Sequence, residues 1–371
     1  MVTQPTKLFS PVRIGGLALP NRLMRSATAE CLATEPLGRA TPALADLYRG
    51  LAEGGVGLIV SGHAYVAPEG KAHPEMLSAH CDQMVPGLQT LAQAVHEAGG
   101  RVALQINHGG RQCDPACAPE RLAPSAVPLP SQAECPPREM KPAEIVAAVE
   151  AYAQAARRAK EAGFDAVQIH AAHGYLVGQF LSPHTNRRQD RWGGDFEGRL
   201  RFLASVCEAV RGQVGSDYPL FVKLGMADNL DRVPDGLTPE DGARIAGRLA
   251  DLGLDAIEVS GGYGGGRGDF NIRLGVGKKA PEAYFRALAR RAKAATPLPV
   301  ILVGGLRSRE AMEGVLASGE ADMVALCRPL VCEPDLPLRL QRGETEASKC
   351  ISGGRCWPDE LGQGIACRCA V

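Results

Sequence analysis

The chain has 371 residues, 45% of them hydrophobic and 22% charged. A lone barrel needs ~250 residues, so this length suits one domain with long loops better than two large ones. Lys plus Arg and Asp plus Glu number 41 each, for a formal net charge of +0, so no global field draws the chain to nucleic acid or to an anionic membrane.

No apolar run approaches the ~20 residues that span a bilayer. The opening MVTQPTKLFSPVRIGG lacks the charged-then-apolar layout of a secretory leader, so a cytoplasmic location is expected. Twelve cysteines in a chain this long fit thiols or metal ligands better than a disulfide framework.

Along the chain, β-branched and aliphatic runs at 23–26, 56–60, 102–106, 166–169, 220–224, 256–259, 300–303 and 323–326 alternate with amphipathic stretches. Thr41-Pro42 reads as an N-cap with proline at the first helical position, followed by a helix to Glu53 and a Gly-Gly stop. Lys141-Pro142 opens a long Ala-rich helix ending at Gly163, and Thr238-Pro239 opens another ending at Gly253. Strand and helix in regular succession predict an α/β fold, and eight units without a composition break predict a closed (β/α)8 TIM barrel. Three connections are long: proline-rich 109–140 after the third strand, 227–236 after the fifth and 261–277 after the sixth. The first is expected to form a lid or wall over the substrate, because it leaves the catalytic face of the barrel.

The run at 166–169 stops at His170-Ala-Ala-His173-Gly-Tyr175, which sets two imidazoles and a phenol at a strand's C-terminal end. That end is where α/β barrels do chemistry. A metal site is disfavoured, since no neighbouring Cys, Asp or Glu completes a ligand set. Taken singly, Tyr175 reads as a core aromatic. Taken together, three donors at one point suit an electronegative oxygen and a proton transfer.

The stretch HAAHGYLVGQFLSPHTNRRQDRWGGDFEGR, residues 170–199, resembles the signature of the Old Yellow Enzyme family of FMN-dependent ene-reductases. The resemblance is to the bacterial branch with two histidines and to the barrel domain of 2,4-dienoyl-CoA reductases. It implies an FMN barrel over 1–345 and a Cys-containing tail over 346–371. It further implies NADH or NADPH as electron donor, an activated alkene as substrate and a possible homo-oligomer.

For the flavin, Gly304-Gly305 closes the seventh strand and Cys327-Arg328 the eighth. Strands seven and eight are the usual phosphate site of a barrel, where glycine lets backbone N–H groups approach and arginine adds a charged fork. By resemblance, Ser26, Ala27 and Thr28 touch the ring through backbone, and Ala29 stands where many relatives carry Cys, Thr or His. Gly62 and Gln105 match positions on the pyrimidine side, and Lys223 matches a cation that stabilises charge developing there on reduction.

Cys350, Cys356, Cys367 and Cys369 resemble the iron–sulfur segment of larger relatives, except that Gly353 stands at a ligand position. Free thiols are favoured, with zinc or an irregular cluster left open.

The expected reaction is hydride transfer from NAD(P)H through FMN to the C=C bond of an α,β-unsaturated carbonyl or nitro compound. Both half-reactions share one site. His170 and His173 would hold the electron-withdrawing oxygen and Tyr175 would donate the proton. Two alternatives stand beside it: a flavin-free aldolase or decarboxylase forming a Schiff base at Lys223, and a non-catalytic electron-carrying flavoprotein.

Overall fold

The computed structural model describes residues 6–263 and 271–369. Residues 264–270 of the loop expected at 261–277, and the extreme ends of the ranges 1–345 and 346–371, lie outside the described residues. Eight parallel strands form the barrel: β1 Leu23–Arg25, β2 Leu58–Val60, β3 Val102–Asn107, β4 Ala166–Ala171, β5 Leu220–Gly225, β6 Ala256–Ser260, β7 Val300–Val303 and β8 Met323–Leu326. Each pairs with its sequence neighbours, and β8 pairs with β1 through Ala325↔Met24, so the sheet closes. The (β/α)8 barrel expected from the alternation is the observed fold.

Helix starts follow local chemistry. Thr41 caps Pro42–Glu53, its side chain accepting from the Leu44 N–H, and Thr238 forms a capping box with Asp241 ahead of Pro239–Arg248. At Pro142–Glu161 the reach-back comes from the Glu144 carboxylate, which accepts the Lys141 N–H at 2.7 Å. The second strand begins two residues later than the apolar run suggests, because the Val56 N–H is still bonded to Leu51 O in the preceding helix end.

Strand alternation sorts side chains into two cores. Outward residues such as Val167, Ile169, Val222 and Leu224 pack under the helices. Inward residues Met24, Leu58, Val60, Ala103, Ala166, Phe221, Ala256, Ile301 and Met323 fill the barrel. The antiparallel pair Val12–Ile14 and Leu17–Leu19 plugs its lower end with Ile14, Leu17 and Leu19. Counting two residues up each strand from this apolar layer reaches Ser26, Gln105, Gln168, Lys223 and Glu258; two more up β4 and β6 reach His170 and Ser260. The period of two thus lifts a polar layer onto an apolar floor at the C-terminal mouth.

The long segment 109–140 is held by hydrogen bonds of its own, and its Gln112 reaches the cavity at the mouth. Its strands Leu122–Ala123 and Arg138–Glu139 pair with each other. The Arg188 guanidinium holds Pro124 O at 3.0 Å and Met140 O at 2.8 Å, while Arg111 holds Val127 O at 3.1 Å. Buried guanidiniums that take main-chain carbonyls as partners tie this loop to the barrel side. Among the described residues no helix is long and apolar enough to cross a membrane.

Candidate active site

A cavity of about 330 Å³ opens at the C-terminal mouth. It is lined by Ser26, Ala27, Thr28, Gln105, His170, His173, Tyr175, Lys223, Gly304, Gly305, Cys327 and Arg328, so the structure brings together all but one of the residues singled out from sequence. The exception is Gly62. Its N–H donates to Glu30 Oε1 at 2.7 Å, and a Cβ there would lie 1.7 Å from Glu30 Oε2. Gly62 thus packs against Glu30 and Tyr48, with its N–H taken by that carboxylate.

The rings of His170, His173 and Tyr175 form a compact cluster. His170 and Tyr175 meet edge to face with centroids 4.8 Å apart, and His170 and His173 do so at 5.1 Å. A third imidazole, His63, stands 5.1 Å from the Tyr175 ring. The Ala172 N–H donates to His170 Nδ1 at 3.2 Å, so a neutral His170 carries its proton on Nε2. His173 sits in the left-handed region at φ 59, and its Nε2 is 2.8 Å from Ser260 Oγ. Gln112 Nε2 donates to His173 O at 2.5 Å and helps hold that turn.

Burial sets the protonation states. It lowers the His170 and His63 imidazoles well below their usual range, helped by neighbouring imidazoles and Lys223. Burial, then Lys223, lowers His173 to about 3. The Tyr175 phenol is pushed up to about 12 by burial. Near neutrality the cavity thus presents neutral imidazoles and a protonated phenol.

At the opposite end, Gly304 and Gly305 adopt φ 125 and φ 76. A Cβ on Gly305 would lie 2.7 Å from Tyr284 Cδ1, and one on Gly304 2.9 Å from Phe285 Cδ2. Arg328 is buried and donates to Ser352 O at 3.3 Å. Arg307, also in the lining, has a buried Nε with no partner. Thr28 Oγ1 and Cys327 Sγ are 3.0 Å apart. From the segment 109–140 only Gln112 reaches the lining, which also includes Asn271, Ile272, Ser352 and Trp357 among the described residues. The segment after residue 345 is accordingly part of the site wall, anchored by the Ile365 N–H on Glu30 O at 2.7 Å.

Its thiols are free, as are all twelve cysteines. Among the described residues, no group of three or more His, Cys, Asp or Glu could hold a metal ion.

Sequence inspection passed over His63, Gln168, Glu258, Ser260 and Trp357. The signal for Gln168 and Glu258 is a polar residue at an inward position of an apolar strand, Ala166-Val-Gln168 and Ala256-Ile-Glu258.

Residues 7–346 match the model of the NADH:flavin oxidoreductase / NADH oxidase family. An NADH oxidase of Thermoanaerobacter brockii is 37% identical over 100% of this chain and 56% of its own. An NADPH dehydrogenase of Geobacillus sp. (strain WCH70) is 38% identical over 90% of this chain and 93% of its own. The chain therefore spans about half the length of the first relative and nearly all of the second. Among solved structures, the old yellow enzyme homologue from Zymomonas mobilis superposes with a TM-score of 0.80 at 29% identity, over 94% of this chain and 95% of that one. This chain belongs to the NADH:flavin oxidoreductase / NADH oxidase family, the Old Yellow Enzyme family, whose cofactors are FMN and a reduced nicotinamide.

Proposed function

We infer that the chain is an ene-reductase, moving a hydride from NADH or NADPH by way of FMN to the C=C bond of an α,β-unsaturated carbonyl or nitro compound. The carrying observation is a protonated phenol, Tyr175, packed edge-on against the neutral imidazole of His170 inside the cavity.

The lining fits FMN. Gly304 and Gly305 leave a cradle that a Cβ would fill, and the partnerless Arg307 Nε beside Arg328 suits a phosphate. Gln105 offers an amide to the alternating donors and acceptors of a pyrimidine edge. Bound FMN supplies the redox chemistry, accepting a hydride from the nicotinamide and returning it to the alkene. His170 would bind the electron-withdrawing oxygen through its Nε2–H, beside His173, and these neutral donors would stabilise the negative charge that grows there. Tyr175 would hold its proton until the α-carbon becomes basic, then deliver it. One cavity serving both partners requires the nicotinamide to leave before the alkene enters.

Lys223 favours this reading over a Schiff-base lyase. A nucleophilic lysine must be neutral, whereas Lys223 Nζ lies 3.1 Å from the buried Glu258 carboxylate and donates to Ser26 Oγ at 2.7 Å. The test is a two-step anaerobic mix: FMN-loaded protein reduced by NADPH or NADH, then offered a cyclic enone or a nitroalkene. Stoichiometric reoxidation with formation of the saturated product is expected. Reduced flavin that persists against every activated alkene would refute the reading.

A further inference from the structure

Beneath the cavity floor lies a carboxylate that lines nothing. Glu258 on β6 is 0% exposed, one layer below His170 and Ser260. Three side chains converge on it. Ser26 Oγ donates to Oε1 at 2.6 Å, Lys223 Nζ stands 3.1 Å from the same oxygen, and Gln168 Nε2 donates to Oε2 at 2.9 Å. Lys223 also donates to Ser26 Oγ at 2.7 Å, closing a three-membered ring of contacts.

An ionised carboxylate only accepts, and this propagates a direction through the layer. Gln168 must turn its NH₂ toward Glu258, which leaves its Oε1 to accept from Gln105 Nε2 at 2.6 Å. Gln105 is thereby turned with its NH₂ down, and its Oε1 is left free of the layer, in a residue that lines the cavity. The direction of one amide at the cofactor is thus dictated two residues away.

The same charge governs Lys223. Only 3% of the Lys223 side chain is exposed, and a buried ammonium without a counter-charge sheds its proton. The other titratable groups facing it are His63, His170 and His173, all kept neutral by burial. Glu258 is therefore the anion that keeps this lysine cationic.

We propose that Glu258 is the positioning residue of the site: it holds Lys223 as an ammonium and turns the Gln105 amide so that an acceptor faces the pyrimidine edge of the flavin. The flavin part rests on the function inferred above, whereas the Lys223 part does not.

The test separates the two. In the full chain without cofactor, ¹³Cε-lysine spectra of the wild type, assigned with Lys223→Arg, should show Lys223 protonated at neutral pH. In Glu258→Gln its titration should fall by at least about one pH unit, and Glu258→Asp, which keeps the charge, should restore most of it. An unchanged titration in Glu258→Gln would overturn the proposal. If Glu258→Gln does not fold, removing both charges in Glu258→Gln/Lys223→Gln should recover folding, and a double variant as unstable as the single would overturn it equally.

With FMN added, Gln168→Leu should weaken flavin binding about tenfold, the loss of about one well-formed hydrogen bond, while leaving the Lys223 titration in place. Flavin affinity unchanged in Gln168→Leu would remove the amide relay. A wild type that binds no FMN at all would instead defeat the functional reading and leave the Lys223 result standing.

Discussion

Tyr175 stands edge-on to His170 with ring centroids 4.8 Å apart at 78°. That contact joins the proposed proton donor to the residue proposed to hold the substrate oxygen. It arises because His170 points inward one residue before β4 ends, while the chain reverses through His173 at φ 59 and Gly174 at φ 74, bringing residue 175 back over the same cavity.

Replacing Tyr175 with Phe keeps the ring and removes the acid. Alkene-dependent reoxidation of the flavin should slow about 10²–10⁴-fold, and reduction by NAD(P)H should stay within about twofold, since a hydride transfer from the nicotinamide needs no proton from this phenol. Stopped-flow measurement of the two half-reactions separates the effects, and equal slowing of both would remove Tyr175 from the proton-donor role.

The imidazoles predict a pH signature. His63, His170 and His173 have folded pKa values below the ordinary imidazole value. As pH falls through about 6.5, the unfolded chain takes up protons that the folded chain refuses, so stability drops with falling pH. Tyr175 acts at the other end: its pKa is raised to about 12, so the folded chain keeps a proton the unfolded one loses, and stability drops as pH rises past about 10. Thermal melts across this range should show a lower Tm at pH 5 than at pH 7.5, and the alkene half-reaction should show no imidazole break near pH 6.5.

Gly305→Ala should cost flavin binding more than fold. The residue's φ is 76 and an added Cβ would meet Tyr284 at 2.7 Å. A left-handed non-glycine residue costs about 1–2 kcal/mol, and displacing Tyr284 deforms the cradle beside Arg328. FMN affinity by flavin-fluorescence titration should fall at least about tenfold, the equivalent of about 1.4 kcal/mol. Wild-type affinity would show that the glycine pair is only a turn.

Behind the site, Arg25 and Glu30 are 2.9 Å apart with side chains 3% and 5% exposed. Glu30 also accepts from Tyr48 Oη at 2.9 Å and from the Gly62 N–H. Glu30→Ala leaves a buried guanidinium without its counter-charge and should destabilise the fold by about 3–5 kcal/mol. Chemical denaturation checks this, and a loss under about 1 kcal/mol would mean that water reaches Arg25.

Much of this molecule could be read from its residues in order. Period-two apolar runs and capped helices specify the barrel because alternation decides which side chains face the helices and which face the interior. His170, His173, Tyr175, Gly304, Gly305 and Arg328 were legible because strand ends in such a barrel share one rim. What only the tertiary structure decided is which groups meet across strands. Lys223 pairs with Glu258 through a register between β5 and β6, and Gln105 meets Gln168 through one between β3 and β4, relations that no local pattern encodes. The partner of the Gly62 N–H was equally out of reach, because the carboxylate that takes it comes from a residue 32 positions earlier. The anchoring of segment 109–140 was hidden for a similar reason, since the arginine that holds it sits beyond β4, and only the folded chain brings Arg188 to those carbonyls.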